Sequence, residues 1–403
     1  MMAIRRKAAV LTVLALIAAG ALATPALAQQ CGGADGFGAW LQQLKQEAAA
    51  QGISAGTLSA LDGVRFDQSV INADRRQGVF SQSFVEFAGR MVADYRMSQG
   101  RALLDKHAST FQRIEQQYGV PGPVIASFWG LETDFGANLG DFPTLQSLAT
   151  LARDCRRPER FRAELMAALM LLDRGDLALS DMRGAWAGEV GQMQFIPTEY
   201  LATAVDYDGD GKRNLVRSVP DVLASSAALL QKHGWQAGQP WLEEVRVPDE
   251  IPWPEADLAI KHPRSAWASW GVTKRDGSPL SSDGMQASLL LPMGRLGPAF
   301  LAYPNFDVYT LWNESLVYAS TAAYFATRLA GAPPVQRGSA EAPSREQIIE
   351  TQQRLQQLGY DVGGADGIIG ANTRAAVKDV QMKLGMPADS YPDPGFLAAL
   401  RQM

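Results

Sequence analysis

Histidine and cysteine are nearly missing from this sequence, with three and two among 403 residues. His107, His233 and His262 are scattered, and none falls in an HExxH or H-x-H spacing. Zinc peptidase or amidase chemistry needs imidazoles converging on one ion, so this scarcity speaks against it. Cys–His and Ser–His hydrolases lose their usual base for the same reason. Positive charge is also short. The 37 Lys and Arg stand against 42 Asp and Glu, a net −5, with no basic cluster, which argues against an electrostatic nucleic-acid binder. Beyond residue 28 no apolar run is long enough to span a bilayer.

What is present begins with a leader. Arg5, Arg6 and Lys7 precede an apolar stretch over residues 8–23, and Ala26-Leu27-Ala28 offers a small-x-small cleavage site. Residues 1–28 therefore read as a secretory signal. An uncleaved anchor is the alternative, although the apolar run is short and stops at Pro25. Ala28-Gln29-Gln30 before Cys31 does not resemble a lipobox, so a soluble mature chain starting near Gln29 is expected. The leader carries three positive charges and no negative ones, and its removal takes the net charge from −5 to −8. In an exported chain the even pair Cys31 and Cys155 reads as one disulfide, with two buried free thiols as the alternative.

With 47% hydrophobic and 20% charged residues the chain is globular, and it is long enough for one large unit and a smaller one. Phe37, Trp40, Leu41, Leu44 and Ala48 recur at helical spacing, as do Leu103, Phe111 and Ile114. Pro121 and Pro123 introduce a helix over 124–133 that Gly136 can close, and another is expected over 161–172. Prolines 248, 252, 254 and 263 break the pattern, with short strands expected over 244–247 and 287–291, before helix returns over 309–329. The segment GAPPVQRGSAEAPS is a linker by composition, with few contacts expected to cross it. Beyond it Ile348, Leu355 and Leu358 line one helix, stopped at Gly359, and Ala376, Val380 and Leu384 a second. The fold class is mainly α (α+β), and the chain divides into a leader (1–28), a large unit (29–331), a linker (332–343) and a small helical module (344–403).

The chemistry centres on Ser127-Phe128-Trp129-Gly130-Leu131-Glu132-Thr133-Asp134-Phe135-Gly136. A carboxyl at the end of an aromatic-rich helix keeps its proton near neutral pH if it faces the interior, because desolvation disfavours the charge. It can then donate to a glycosidic oxygen. A helix-end Glu on a solvated face is the competing reading. Asp134 is no second carboxylate for the same bond, since i+2 projects about 200° away on a helix.

Phe128-Trp129-Gly130-Leu131-Glu132-Thr133 resembles the catalytic motif of the membrane-bound lytic transglycosylase B family. The resemblance extends, in the family's order, through Pro143-Thr144-Leu145, Arg156-Arg157, the run Ala187-Gly188-Glu189-Val190-Gly191-Gln192-Met193-Gln194-Phe195-Ile196-Pro197, His233-Gly234-Trp235 and Trp312-Asn313-Glu314-Ser315 with Tyr318. It implies a lysozyme-like helical catalytic domain with a small β insertion. The implied reaction cleaves the β-1,4 bond between N-acetylmuramic acid and N-acetylglucosamine without water, leaving 1,6-anhydro ends. Glu132 is the implied acid/base, and no catalytic cofactor is needed. Gln194, Phe195, Asn313 and Tyr318 match cleft residues, and Arg156 and Arg157 a basic pair near the glycan peptides. Ala185 and Trp312 depart from the hydroxyl residue and the Tyr of some relatives. Peptidoglycan strands are the expected partner and the periplasm the expected compartment, and a monomer is expected. A hydrolytic muramidase and an inactive wall-binding scaffold are the alternatives.

Asp206, Asp208 and Asp210 occupy positions 1, 3 and 5 of an EF-hand-like loop, with Gly211 at 6 and the Lys212 carbonyl at 7, but position 12 is Arg217. Family members with a calcium loop here imply structural Ca²⁺, with Asp221 as a late carboxylate. An Asp/Gly-rich turn without metal is the alternative. Leu355-Gln356-Gln357-Leu358-Gly359-Tyr360, Asp366-Gly367-Ile368-Ile369-Gly370, Thr373, Ala376-Val377 and Gln381 resemble the three-helix peptidoglycan-binding module of cell-wall hydrolases.

Overall fold

The computed structural model describes residues 31–75 and 82–403, so the leader read over 1–28 lies outside the described residues. Among those described, no helix is long and apolar enough to cross a membrane.

Helix Phe37–Ala50 buries Phe37, Leu41, Leu44 and Ala48, the residues its spacing puts on one face. That face closes over helices Thr144–Arg153 and Pro158–Asp173, where Leu145, Leu148, Leu165 and Leu169 complete one core. Pro158 opens its helix at a position where a missing N–H costs no hydrogen bond. Cys31 and Cys155 are bonded, their Cα atoms 4.8 Å apart, which fastens the N-terminal arm to this layer.

A second core surrounds helix Gly122–Thr133. Val124, Ile125, Ala126, Phe128 and Trp129 are at most 2% exposed, as a helix apolar on every side requires. Helix Leu316–Leu329 meets it along buried Ala319, Ala322, Ala323 and Ala326. The approach is so close that a Cβ on Gly130 would come within 2.8 Å of Phe135 and Phe325. The single helix expected over 309–329 is in fact two. Pro304–Trp312 and Leu316–Leu329 flank an extended Asn313 (φ −146°, ψ 121°). Ser315 restarts the helix by accepting the Tyr318 N–H, a capping bond that outweighs the continuous apolar pattern.

The β insertion is a five-stranded antiparallel sheet. Its order is His262–Pro263, Gln286–Leu290, Ala299–Ala302, Leu242–Arg246 and Thr273–Lys274. Leu290, Phe300 and Leu242 face the main core, while Leu289 and Leu301 face Trp253 and Trp267. Gln286–Leu290 and Ala299–Ala302 are covered on both sides and are apolar runs; the first was expected over 287–291, whereas the second, only four residues long, was not foreseen.

The C-terminal module packs helices Arg345–Gln357, Ala371–Lys383 and Pro394–Leu400 around Leu355, Val377, Val380 and Phe396. Leu358 and Leu384, expected in that core, are 45% and 37% exposed, because each falls just past its helix end where the chain turns outward. The linker has no regular structure, but it is not free. Gln336 N–H donates to Glu244 (2.7 Å), and Ser339 and Ala340 N–H donate to the Leu296 carbonyl (2.8 and 3.1 Å). The module itself docks on the insertion: Arg374 donates to the Leu291 and Pro292 carbonyls at 3.2 and 2.7 Å, and Lys378 pairs with Asp257 at 2.7 Å. Linker composition conceals this, since the partners lie far away in the chain and the Arg374 bonds go to backbone carbonyls that any sequence would provide.

Candidate active site

Glu132 lies in the last turn of helix Gly122–Thr133, at the wall of a cleft of about 1210 Å³. The chain leaves this helix through three consecutive left-handed residues, Asp134 (φ 50°), Phe135 (φ 59°) and Gly136 (φ 87°). The turn thus starts before the Gly136 that the sequence offers for it. A left-handed Phe is strained by roughly 1–2 kcal/mol, and its ring is held edge-on to Trp129 (5.6 Å, 82°). Asp134 points away from the cleft into an ion pair with Arg96, so no second carboxylate comes from the same helix.

Two donors converge on a single oxygen of Glu132. Trp312 Nε1–H donates to Oε1 at 2.8 Å, and the Tyr318 hydroxyl donates to the same atom. An indole N–H can only donate, so Oε1 is fixed as an acceptor and the carboxyl proton resides on Oε2. Burial pushes the Glu132 carboxyl up to about 7, against the opposing pull of the Tyr318 and Trp312 hydrogen bonds and with a further push from the charge of Glu189. Burial also drives Tyr318 well above the ordinary phenol range, so it stays a donor. Trp312 is itself clamped, stacked on Phe128 (4.3 Å) and edge-on to Phe195 (5.7 Å). The site is a carboxylic acid with a fixed proton position in an apolar wall.

The expected cleft residues divide on inspection. Phe195 and Asn313 line the cleft; Phe195 is 3% exposed and serves chiefly to prop Trp312. Asn313 accepts the Ser315 N–H at 2.9 Å, shaping the break between the two helices. Gln194 also lines the cleft, but its amide is occupied internally. Its oxygen accepts Ala185 N–H at 3.1 Å, and its nitrogen donates to the Leu139 and Gly191 carbonyls at 3.0 and 2.9 Å. Gln194 thus keeps the cleft position that the resemblance implied, with its amide bracing the wall. Arg157 reaches the cleft while Arg156 lies outside its lining; both clasp Asp74, which is 2% exposed.

Three contributors escape sequence reasoning. Glu189 sits on the cleft wall with its carboxyl raised chiefly by burial and its Oε2 accepting Ala187 N–H at 3.1 Å. It stands inside a run quoted above, where its type was the only signal. Trp186 lines the same wall. Ile368, Ile369, Gly370 and Ser390 bring the module into the cleft lining, which no local pattern foretells.

Asp206, Asp208 and Asp210 gather oxygen ligands within 4.8 Å of one another on an exposed loop. Asp206 also accepts the N–H groups of Gly209, Asp210 and Gly211 (2.8, 3.1 and 2.8 Å). Lys212 follows with its N–H on Asp210 at 2.8 Å. Asp221 does not join the cluster. It is fully buried and accepts Tyr207, Asp208 and Asn214 N–H at 2.7, 3.3 and 2.8 Å, so it ties the loop ends together in place of the ligand role implied for it. Arg217, at the twelfth position, pairs with Asp181.

A helix-end acid held by Trp312 and Tyr318 in a helical domain, with a small helical module against its cleft, is an arrangement of lysozyme-like architecture. The chain belongs to the transglycosylase SLT domain family, whose model matches residues 36–327, and the peptidoglycan binding domain family matches residues 344–400. The membrane-bound lytic murein transglycosylase B of Escherichia coli (strain K12) is 32% identical over 240 residues, 59% of this chain and 64% of that protein, so the match spans just under two thirds of the relative. SltB3 from Pseudomonas aeruginosa, solved in complex with NAG-anhNAM-pentapeptide, is 42% identical with a TM-score of 0.84, covering 91% of this chain and 99% of that one. The E. coli lytic transglycosylase Slt35 in complex with calcium is 27% identical with a TM-score of 0.63, over 75% of this chain and 96% of that one.

Proposed function

We propose that this protein is a lytic transglycosylase of the periplasm. It cleaves the β-1,4 bond between N-acetylmuramic acid and N-acetylglucosamine and leaves 1,6-anhydro ends. The observation that carries the reading is the Glu132 carboxyl in the cleft wall, with Oε1 taken by the Trp312 and Tyr318 donors, Oε2 left for the proton, and burial pushing its pKa up to about 7. Glu132 protonates the leaving oxygen, the substrate's 2-acetamido group stabilises the sugar cation, and Glu132 then takes the proton of the muramyl 6-hydroxyl as that oxygen closes on the anomeric carbon. Cleavage by water is the second reading, favoured by one feature, the Glu189 carboxyl in the same cleft. Digestion of purified sacculi followed by mass spectrometry separates the two. Anhydro ends support the proposal, and reducing ends, heavier by one water, overturn it.

Structural calcium at Asp206, Asp208 and Asp210 belongs to the same proposal, supported by the clustered carboxylates and by the calcium complex of Slt35. Three anions this close repel one another without a cation. Calcium at a hundredfold its Kd should add about 2.7 kcal/mol and raise the melting temperature. Asp206→Asn with Asp210→Asn should abolish that rise. Identical melting of the wild type in calcium and in chelator would reduce the loop to a turn.

The docked module leads to a different expectation from that of a free tether. Removing residues 331–403 takes away wall affinity and one side of the cleft. Sacculus digestion should slow roughly tenfold or more, as local concentration is lost. Soluble glycans long enough to reach residues 368–371 should slow as well, while the shortest cleavable fragment keeps its rate. Uniform rates across glycan lengths would show that the module adds nothing to the cleft.

A further inference from the structure

Gln192 is 8% exposed and lies behind the cleft, outside its lining, yet all four of its hydrogen-bonding groups are engaged. Its backbone N–H donates to the Leu215 carbonyl at 2.8 Å, and its Nε2 to the Val216 carbonyl at 2.9 Å. Its Oε1 accepts the Trp129 indole N–H at 2.8 Å, and its backbone carbonyl accepts the Thr133 hydroxyl at 2.6 Å. Trp129 and Thr133 are the helix residues on either side of Glu132, three before it and one after. Leu215 and Val216 follow the loop that Asp221 closes through Asn214 N–H. The packing leaves little slack. A Cβ on Gly136 would meet Gln192 Oε1 at 2.4 Å, and one on Gly191 would meet the Leu215 carbonyl at 2.6 Å.

We infer that Gln192 is a positioning residue for the glycan-cleaving reaction: it clamps the last turn of the Glu132 helix to the segment following the acidic loop and so holds the acid in register with the cleft. The inference rests on the reading of Glu132 as the acid/base. Trp129 is held at its indole nitrogen and Thr133 at its hydroxyl, so the turn between them can neither roll nor slide. Trp312 and Tyr318 hold the carboxyl itself at Oε1. Gln192 contributes no group to the cleft, so its loss should act on turnover and leave binding intact.

The test uses full-length protein and soluble glycan fragments. Gln192→Leu keeps the size but breaks both side-chain bonds; Trp129→Phe removes the indole donor together with part of the buried ring, and keeps an aromatic at the site. Each should lower kcat about 10–100-fold with KM within roughly twofold of wild type, since misplacing a reacting group by about 1 Å costs that much. The double variant should fall no further than the worse single one, because the Trp129–Gln192 bond is already lost in each. A melting curve establishes that each variant is folded. If Gln192→Leu misfolds, Trp129→Phe alone carries the test. A folded variant with at least half the wild-type kcat, or with the whole loss in KM, overturns the inference. Glu132→Gln assayed alongside separates the two levels: retained turnover there would sink the acid/base reading itself.

Discussion

Glu132→Gln is expected to give a folded protein that binds glycan and turns over at least 10²-fold more slowly, within the 10²–10⁴-fold range of general acid/base catalysis. The amide oxygen still accepts from Trp312 and Tyr318, so the local geometry survives. What takes the place of Oε2 is an NH₂ group that cannot give up a proton to a leaving oxygen. Release of anhydro-muropeptides near the wild-type rate would end the assignment. The same group predicts a pH signature. Wild-type turnover should decline as pH rises through about 7, where Glu132 loses its proton. Stability follows the same direction. The folded state holds this proton up to about 7, against the ordinary 4.5, so it binds protons that the unfolded chain has released. The stabilisation is complete below about 4.5 and is lost as pH rises through about 7. Glu132→Gln has no charge to bury, so it should melt above wild type at pH 8 and close to it at pH 4. Equal differences at both values, measured by calorimetry, would mean the carboxyl is not desolvated.

Loss of the Cys31–Cys155 bond has the next largest expected effect, on stability. The bridge spans 124 residues, and closing a loop of that length removes unfolded-state entropy worth roughly 5 kcal/mol, with measured bridges often giving less. Cys31→Ser and Cys155→Ser, alone or together, should show the same reduced denaturant midpoint, since either breaks the single link. Two free thiols in denatured, unreduced protein would show that the bond does not form. A consequence at the cleft is expected too. Cys155 lies two residues before Arg157, which lines the cleft and is held by Asp74, so the reduced protein should turn over more slowly on peptide-bearing strands than on denuded ones.

The sequence made local geometry legible and left distant partnership obscure. Phe37, Leu41, Leu44 and Ala48 disclose one face of a helix because the period is a property of neighbours in the chain. The apolar setting of Glu132 was readable in the same way. That Trp312 and Tyr318 would share a single oxygen was not, because those residues lie 180 and 186 positions away. Gln194 shows the converse: its match to a cleft motif holds in position, but its amide is bonded within the wall. The docking of Arg374 on two backbone carbonyls left no trace in side-chain pattern at all.

The convergence of Trp312 and Tyr318 on Oε1 imposes an order of events on the proposed reaction. With one oxygen permanently committed as acceptor, only Oε2 can hand over a proton and later collect one. The departing N-acetylglucosamine oxygen and the arriving muramyl 6-hydroxyl must therefore occupy the same spot in turn. The released strand has to vacate before the ring can close, and a strand that lingers there returns the enzyme to its starting complex.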